Sequence, residues 1–179
     1  MKSPFKDDIK FGVHYMMILT RDKLPDAEDA INKIFYDAMF NILLSSKDET
    51  NKHRAFETIS NIVDSEVQRH KLVKEGCFRE LFERMQAVAD SKDKEDQRIL
   101  EKLAVLLTKI SFHQDLYQLV INQKLMGFIL KICDQKYSNT VRSNAVLAIS
   151  LLTYNDKLFD EIIHWGVIDL IMELCQDQN

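Results

Sequence analysis

The five histidines, three cysteines and four glycines of this 179-residue sequence are the residues that could carry chemistry, and their spacing argues against most of it. His14, His53, His70, His113 and His164 never fall in an HxxxH or HExxH pair, so no helical turn offers two imidazoles to one metal ion. Cys77, Cys133 and Cys175 form no CxxC pair and stand about forty or more residues apart, which indicates neither a disulfide framework nor a zinc site. A Cys–His–acid triad could be assembled from Cys77, His70 and a carboxylate. In an internal repeat of 90 and 42 residues, however, Cys77 shares its position with Val167 and Leu125, and a thiol buried among such neighbours is inert. Cys133 and Cys175 share their position with Met85 and read as core. The glycines at 12, 76, 127 and 166 are isolated, so there is no phosphate-binding loop. No catalytic residue, metal or cofactor is expected. His70 and His164, near the C-terminal ends of short helices, suit the helix dipole instead.

Composition narrows the class. With 46% hydrophobic residues the chain can bury a substantial core, while 4 Gly and 2 Pro are too few for the turns of a many-stranded β-fold. Leu, Ile, Lys, Glu, Asp and Met favour helices, so the fold class is all-α. A net charge of −4 and a pI near 5.7 argue against a protein that grips nucleic acid by neutralising phosphates. No stretch reaches the roughly 18 apolar residues of a membrane span, and the segment MKSPFKDDIK lacks an apolar signal core. Unpaired thiols fit a reducing compartment: the cytoplasm first, with an organellar matrix also compatible. The charged run at 92–98 reads as a solvated loop, and Trp165 as a ridge-packing residue.

The elements follow from periodicity. Ile9, Val13, Met16, Met17 and Leu19 or Thr20 predict a helix over 5–20, which Pro25 breaks. A long helix over 26–45 is predicted from Ala30, Ile31, Ile34, Phe35, Ala38, Met39, Ile42 and Leu43, with Asp26 or Asp29 at its start. Residues 139–176 then read as one complete repeat. Val141, Ala145, Ala148, Ile149 and Leu152 line one helix, Leu158, Ile162 and Ile163 mark a short helix ended by Gly166, and Ile168, Ile171, Met172 and Cys175 are expected inward on a third. Ninety residues earlier, Ala55, Ile59, Ile62, Val73, Gly76 and Leu81 repeat the pattern without a gap. Forty-two residues earlier, Leu103, Leu106, Leu107, Ile110, Ile121, Met126, Ile129 and Cys133 fall beneath their counterparts, with Lys124 in the glycine place. The first two copies are 48 residues apart, and the extra residues sit in the charged loop 90–96. Equivalent, parallel helices are therefore predicted at 52–63, 97–111 and 141–153.

A period of about 42 residues with three helices per copy is the signature of an α-solenoid. Residues 51–176 resemble armadillo repeats, whose motif is an Ala-x-x-Ala-Leu-x-Asn-Leu helix, an Ile-x-x-x-Gly turn and a Leu-Val-x-Leu-Leu helix. Here it survives at 55–62, with Asn61 in the Asn place, and at 145–152, 162–166 and 170–174. The resemblance implies a short right-handed solenoid of about three copies. Residues 1–179 would form a single domain, with 5–50 an irregular N-terminal capping unit.

In armadillo proteins the long helix of each copy lines a concave groove, and the residue in the Asn place often holds the backbone of an extended peptide. Carried over, the Asn place is Asn61, Lys109 and Leu151, and the place one turn earlier is Glu57, Val105 and Leu147. With Arg54, Lys102 and Asn144 these form the expected partner-binding row. The asparagine and tryptophan rows of nuclear-import receptors are absent, so recognition of basic import signals is not implied. Val105, Leu147 and Leu151 make that part of the groove apolar, as protein interfaces are. The expectation is a scaffold or adaptor that binds protein, with a permanently built-in accessory subunit of a larger assembly as the alternative.

Overall fold

The computed structural model describes residues 4–22, 31–113, 117 and 123–176, and among them it contains ten α-helices and no strand. They are α1 (Pro4–Arg21), α2 (Lys33–Ser45), α3 (Glu49–Asp64), α4 (Glu66–Lys74), α5 (Cys77–Ala89), α6 (Lys94–Phe112), α7 (Gln123–Lys131), α8 (Asn139–Leu152), α9 (Asp156–His164) and α10 (Val167–Gln176). The all-α expectation holds. The chain divides into two compact units, Met1–Leu81 and Phe82–Asn179, with the boundary inside α5.

In the first unit α3 is the centre, with α1 and α2 both packed on it. Its start is set by Asp48, whose carboxylate accepts from the Thr50 and Asn51 amides at 2.8 and 3.4 Å and so satisfies donors that have no partner within the helix. Ala55, Thr58, Ile59, Ile62 and Val63, at helical spacing, are buried. Burial of each isoleucine stabilises the fold by about 1.5–3 kcal/mol. The end of α3 is served by Arg69 of α4, itself buried, whose Nη1 donates to the Val63 carbonyl at 2.9 Å. A cation there meets both an orphan carbonyl and the negative end of the helix dipole.

The inward face of α2 keeps Met39 and Leu43 of the predicted stripe and adds Tyr36 and Phe40 beside them. Tyr36, Met39, Phe40 and Leu43 are buried, whereas Ile34 and Ala38 are exposed. Tyr36 lies 4.9 Å from Phe40 and meets the edge of Phe78 at 6.4 Å, and rings of that size remove more apolar area from water than the aliphatics they displace. The helix predicted over 26–45 starts only at Lys33. Asn32, in extended conformation, caps it by accepting from the Phe35 amide at 3.0 Å, so neither Asp26 nor Asp29 is its cap. Residues 26–30 of that prediction lie outside the described residues.

The second unit is built on α6 and α8, which pack side by side. Leu103, Leu106, Leu107 and Ile110 of α6 and Val141, Ala145, Ala148, Ile149 and Leu152 of α8 are all buried, as their periodicity predicts. α8 also meets α7 and α9, and α9 meets α10. α6 starts at Lys94, earlier than the predicted 97, because the Asp93 carboxylate accepts from the Glu95 amide at 2.7 Å. The charged loop 90–96 is therefore short, with half of it in the first turn of α6.

The 90-residue repeat is visible in the backbone. α3 and α8, α4 and α9, and α5 and α10 start 90 residues apart, and Asp48 and Ser138 occupy equivalent N-cap positions. Gly76 and Gly166 take φ of 74° and 80° at equivalent turns, as predicted. The turn before Lys124 lies outside the described residues. One expectation fails. Ile168, Ile171 and Met172 are exposed rather than inward, and Ile163 is exposed where its counterpart Val73 is partly covered, because no described element packs over them. The Cys175 side chain lies outside the described set.

A Cβ at position 166 would meet only Asp169 Oδ2, at an ordinary 3.8 Å, so substitution there is opposed by backbone conformation rather than crowding. Gly166→Val is expected to lower stability in urea unfolding by about 1–3 kcal/mol, and Gly166→Asn by less, since asparagine tolerates positive φ. Equal stability of Gly166→Val and the parent would contradict this account of the turn.

Candidate protein-binding surface

Three residues of the expected row, Arg54, Glu57 and Asn61, lie on α3 in the first unit, and each is half-buried. The only row member that matches the armadillo asparagine is already engaged, since Asn61 Nδ2 donates to Thr20 Oγ1 of α1 at 3.3 Å. The Thr20 hydroxyl is itself turned to its own helix, within 3.0 and 3.1 Å of the Met16 and Met17 carbonyls. α1 thus closes on the Asn61 side of α3.

The other six lie in the second unit: Lys102, Val105 and Lys109 on α6, Asn144, Leu147 and Leu151 on α8. The packing of these two helices brings the six onto neighbouring elements. None is buried, and Leu147 is 48% exposed. The seam between them carries a polar link that periodicity does not show. Thr108 Oγ1 lies 3.0 Å from the Asn144 carbonyl oxygen and 3.1 Å from Asn144 Oδ1, while Asn144 Nδ2 donates to the Thr140 carbonyl at 2.9 Å. Asn144 therefore joins helix to helix and is not left over for a peptide. A hydroxyl in the apolar run of α6, one turn after Val105, is the signal that could have pointed to Thr108, because such hydroxyls bond either back along their own helix or across to a neighbour.

Two further links hold the surface. The Ser138 hydroxyl accepts from the Val141 amide at 3.4 Å and donates to Glu101 Oε1 at 2.6 Å, tying the start of α8 to α6. Tyr117, buried, donates its hydroxyl to the Leu151 carbonyl at 3.5 Å, and burial raises its phenol pKa. The side chains of Val105, Leu147 and Leu151 have no polar atoms to offer such links.

The thiols sit elsewhere. Cys77 and Cys133 are both buried, and Leu125 and Val167, the counterparts of Cys77, are buried too. Burial pushes the Cys133 thiol from 9.0 up to about 11, and its Sγ donates to the Ile129 carbonyl at 3.4 Å. Among the described residues no group of histidines, cysteines and carboxylates could hold a metal ion, and no helix is long and apolar enough to cross a membrane. The chain is thus an all-helical protein with a partly exposed apolar row on two packed helices. No family model matches it, and neither does any curated protein or solved structure.

Two outcomes follow. Thr108→Val and Asn144→Ala should each destabilise the protein by about 1 kcal/mol, and a double-mutant cycle should return a coupling of about 0.5–1.5 kcal/mol; additive losses would mean the two groups do not interact. For Cys133 the folded-state pKa lies above the unfolded one, so its contribution is fully present below pH 9 and is lost as pH rises through about 11. Iodoacetamide at pH 8 should label Cys133 only after unfolding in urea, as followed by mass spectrometry, and rapid labelling of the native chain would contradict its burial.

Proposed function

We propose that this chain is a non-enzymatic protein-interaction module, a short right-handed armadillo-like solenoid that serves as a scaffold or adaptor. Its partner contacts the row of Lys102, Val105 and Lys109 on α6 with Asn144, Leu147 and Leu151 on α8; Arg54, Glu57 and Asn61 on α3 are the corresponding candidate contacts of the first unit. The observation that carries the reading is Leu147, nearly half exposed, with partly covered Val105 and Leu151 on the same two packed helices. Aliphatic side chains grouped on a surface gain free energy only when something covers them, about 1.5–3 kcal/mol for each leucine fully buried. The lysines at either end of the α6 row, Lys102 and Lys109, favour a partner with carboxylates at the rim. Asn61 and Asn144 are bonded within the chain, so the contact relies on apolar burial rather than on asparagine gripping a peptide backbone.

A second reading, an accessory subunit built permanently into a larger assembly, is favoured by the exposed stripe Ile168, Ile171 and Met172. An apolar stripe of this kind gains free energy only when another surface covers it. Sedimentation velocity separates the two: an adaptor is soluble and monomeric alone, whereas a built-in subunit aggregates without its partners.

The first reading is tested by affinity capture with the tagged full chain, followed by mass spectrometry. Leu147→Asp is expected to remove the principal captured partner while circular dichroism shows unchanged helicity. Retained capture by the folded variant would sink the proposal.

A further inference from the structure

Ile168, Ile171 and Met172 recur at steps of three and four, so they form one stripe of α10, and they are 54%, 49% and 57% exposed. On α9, Phe159 and Ile163 make a second exposed pair one turn apart. The internal repeat shows what such positions ordinarily do. Phe78 and Met126 stand in the place of Ile168 in the two earlier copies, Leu81 and Ile129 in that of Ile171, and Arg69 and Tyr117 in that of Phe159. All six are buried. The same positions are closed over in two copies and open in the third. In the middle copy, α7 packs against α8, a helix that buries a stripe at steps of three and four. The occupant that fits the open stripe of α10 is accordingly an amphipathic helix, apolar residues at the same spacing.

Charge decides whose helix it is. Residues 156–176 hold Asp156, Asp160, Glu161, Asp169 and Glu173 against the single Lys157, and Asp160 and Asp169 are exposed. A second copy docking this face would set carboxylates against carboxylates, which is repulsive, whereas lysines or arginines flanking an apolar stripe are attracted to it. We propose that the outer face of α10, with the exposed stripe of α9, docks an amphipathic helix of a partner protein that has an apolar stripe and basic flanks. This site is separate from the α6–α8 row.

The probe is a synthetic fluorescein-labelled helix about 18 residues long, with a leucine stripe flanked by lysines, compared with the same stripe flanked by glutamates. Fluorescence anisotropy with the full chain should show the lysine peptide binding about tenfold or more tighter, with affinity falling as salt rises. Ile171→Asp should weaken that binding about tenfold or more. The Asp160→Lys, Asp169→Lys double variant, which changes exposed residues alone and brings the face from five acids and one lysine to three of each, should abolish the preference for the lysine peptide, and it keeps the test decisive should Ile171→Asp fail to fold. Leu147→Asp should leave peptide affinity unchanged, which separates this site from the α6–α8 row. The proposal is overturned by absent or equal binding of the two peptides, by undiminished binding to folded Ile171→Asp, or by a dimer in sedimentation equilibrium that Ile171→Asp dissociates.

Discussion

The close approach of α6 and α8 is the contact on which the second unit and its surface depend. Ala104, Ala145 and Ala148 are fully buried, and short side chains at a helix contact let the backbones draw together. Only at such an approach can a threonine hydroxyl on one helix come within 3.0 Å of a main-chain carbonyl on the next, as Thr108 does at Asn144. Leu103, Leu106, Leu107 and Ile110 are buried beside the alanines, while the polar link itself, between half-exposed Thr108 and Asn144, lies at the edge of that packing. Val105, Lys109, Leu147 and Leu151 are carried on the same two helices, so the packing of the seam sets their spacing, which is what the proposed surface requires.

The first unit meets the same requirement differently. α3 is clad by α1 as well as α2, and Asn61, which an open groove would leave for a ligand, is turned to Thr20. Charge is handled economically there too, since a buried guanidinium is tolerable only where its donors find acceptors, and the Val63 carbonyl at the end of α3 supplies one. The half-buried Arg54, Glu57 and Asn61 are therefore what α1 leaves uncovered on α3, while the residues of α6 and α8 are placed by the packing of those two helices on each other.

Much of the fold was legible because helices advertise themselves through spacing and through the residues that end them. The 90-residue repeat recovered equivalent helix starts, and Gly76 and Gly166 marked their turns because only glycine takes positive φ without cost. The start of α2 was misread because Asn32 is one polar residue among several, and nothing in spacing says which of them accepts an amide hydrogen. The face of α2 was read in part, since Met39 and Leu43 are buried as the stripe predicts, whereas Tyr36 and Phe40 fall beside the aliphatic stripe and are buried too. At the surface, six row members shared neighbouring helices as the repeat implied, whereas the bonds that engage Asn61 and Asn144 depend on partners 41 and 36 residues away, which apolar spacing along one helix does not reveal.

The fate of Ile168, Ile171 and Met172 shows the limit most sharply. Their spacing equals that of Phe78, Leu81 and Phe82, and of Met126 and Ile129, yet the earlier residues are core and the later ones face water. Periodicity reports which side of a helix is apolar; whether that side is covered depends on a neighbour the helix does not encode. A repeat protein can thus make a binding site without any residue of special chemistry, by presenting at one copy the face that it buries at the others. Recognition at such a face inherits the geometry of the internal packing, so helical spacing sets the shape of what fits. In the docking proposed for α10, the acidic residues of 156–176 would supply the selectivity that apolar contact lacks, because area alone discriminates poorly among amphipathic helices whereas the sign of the flanking charge discriminates well.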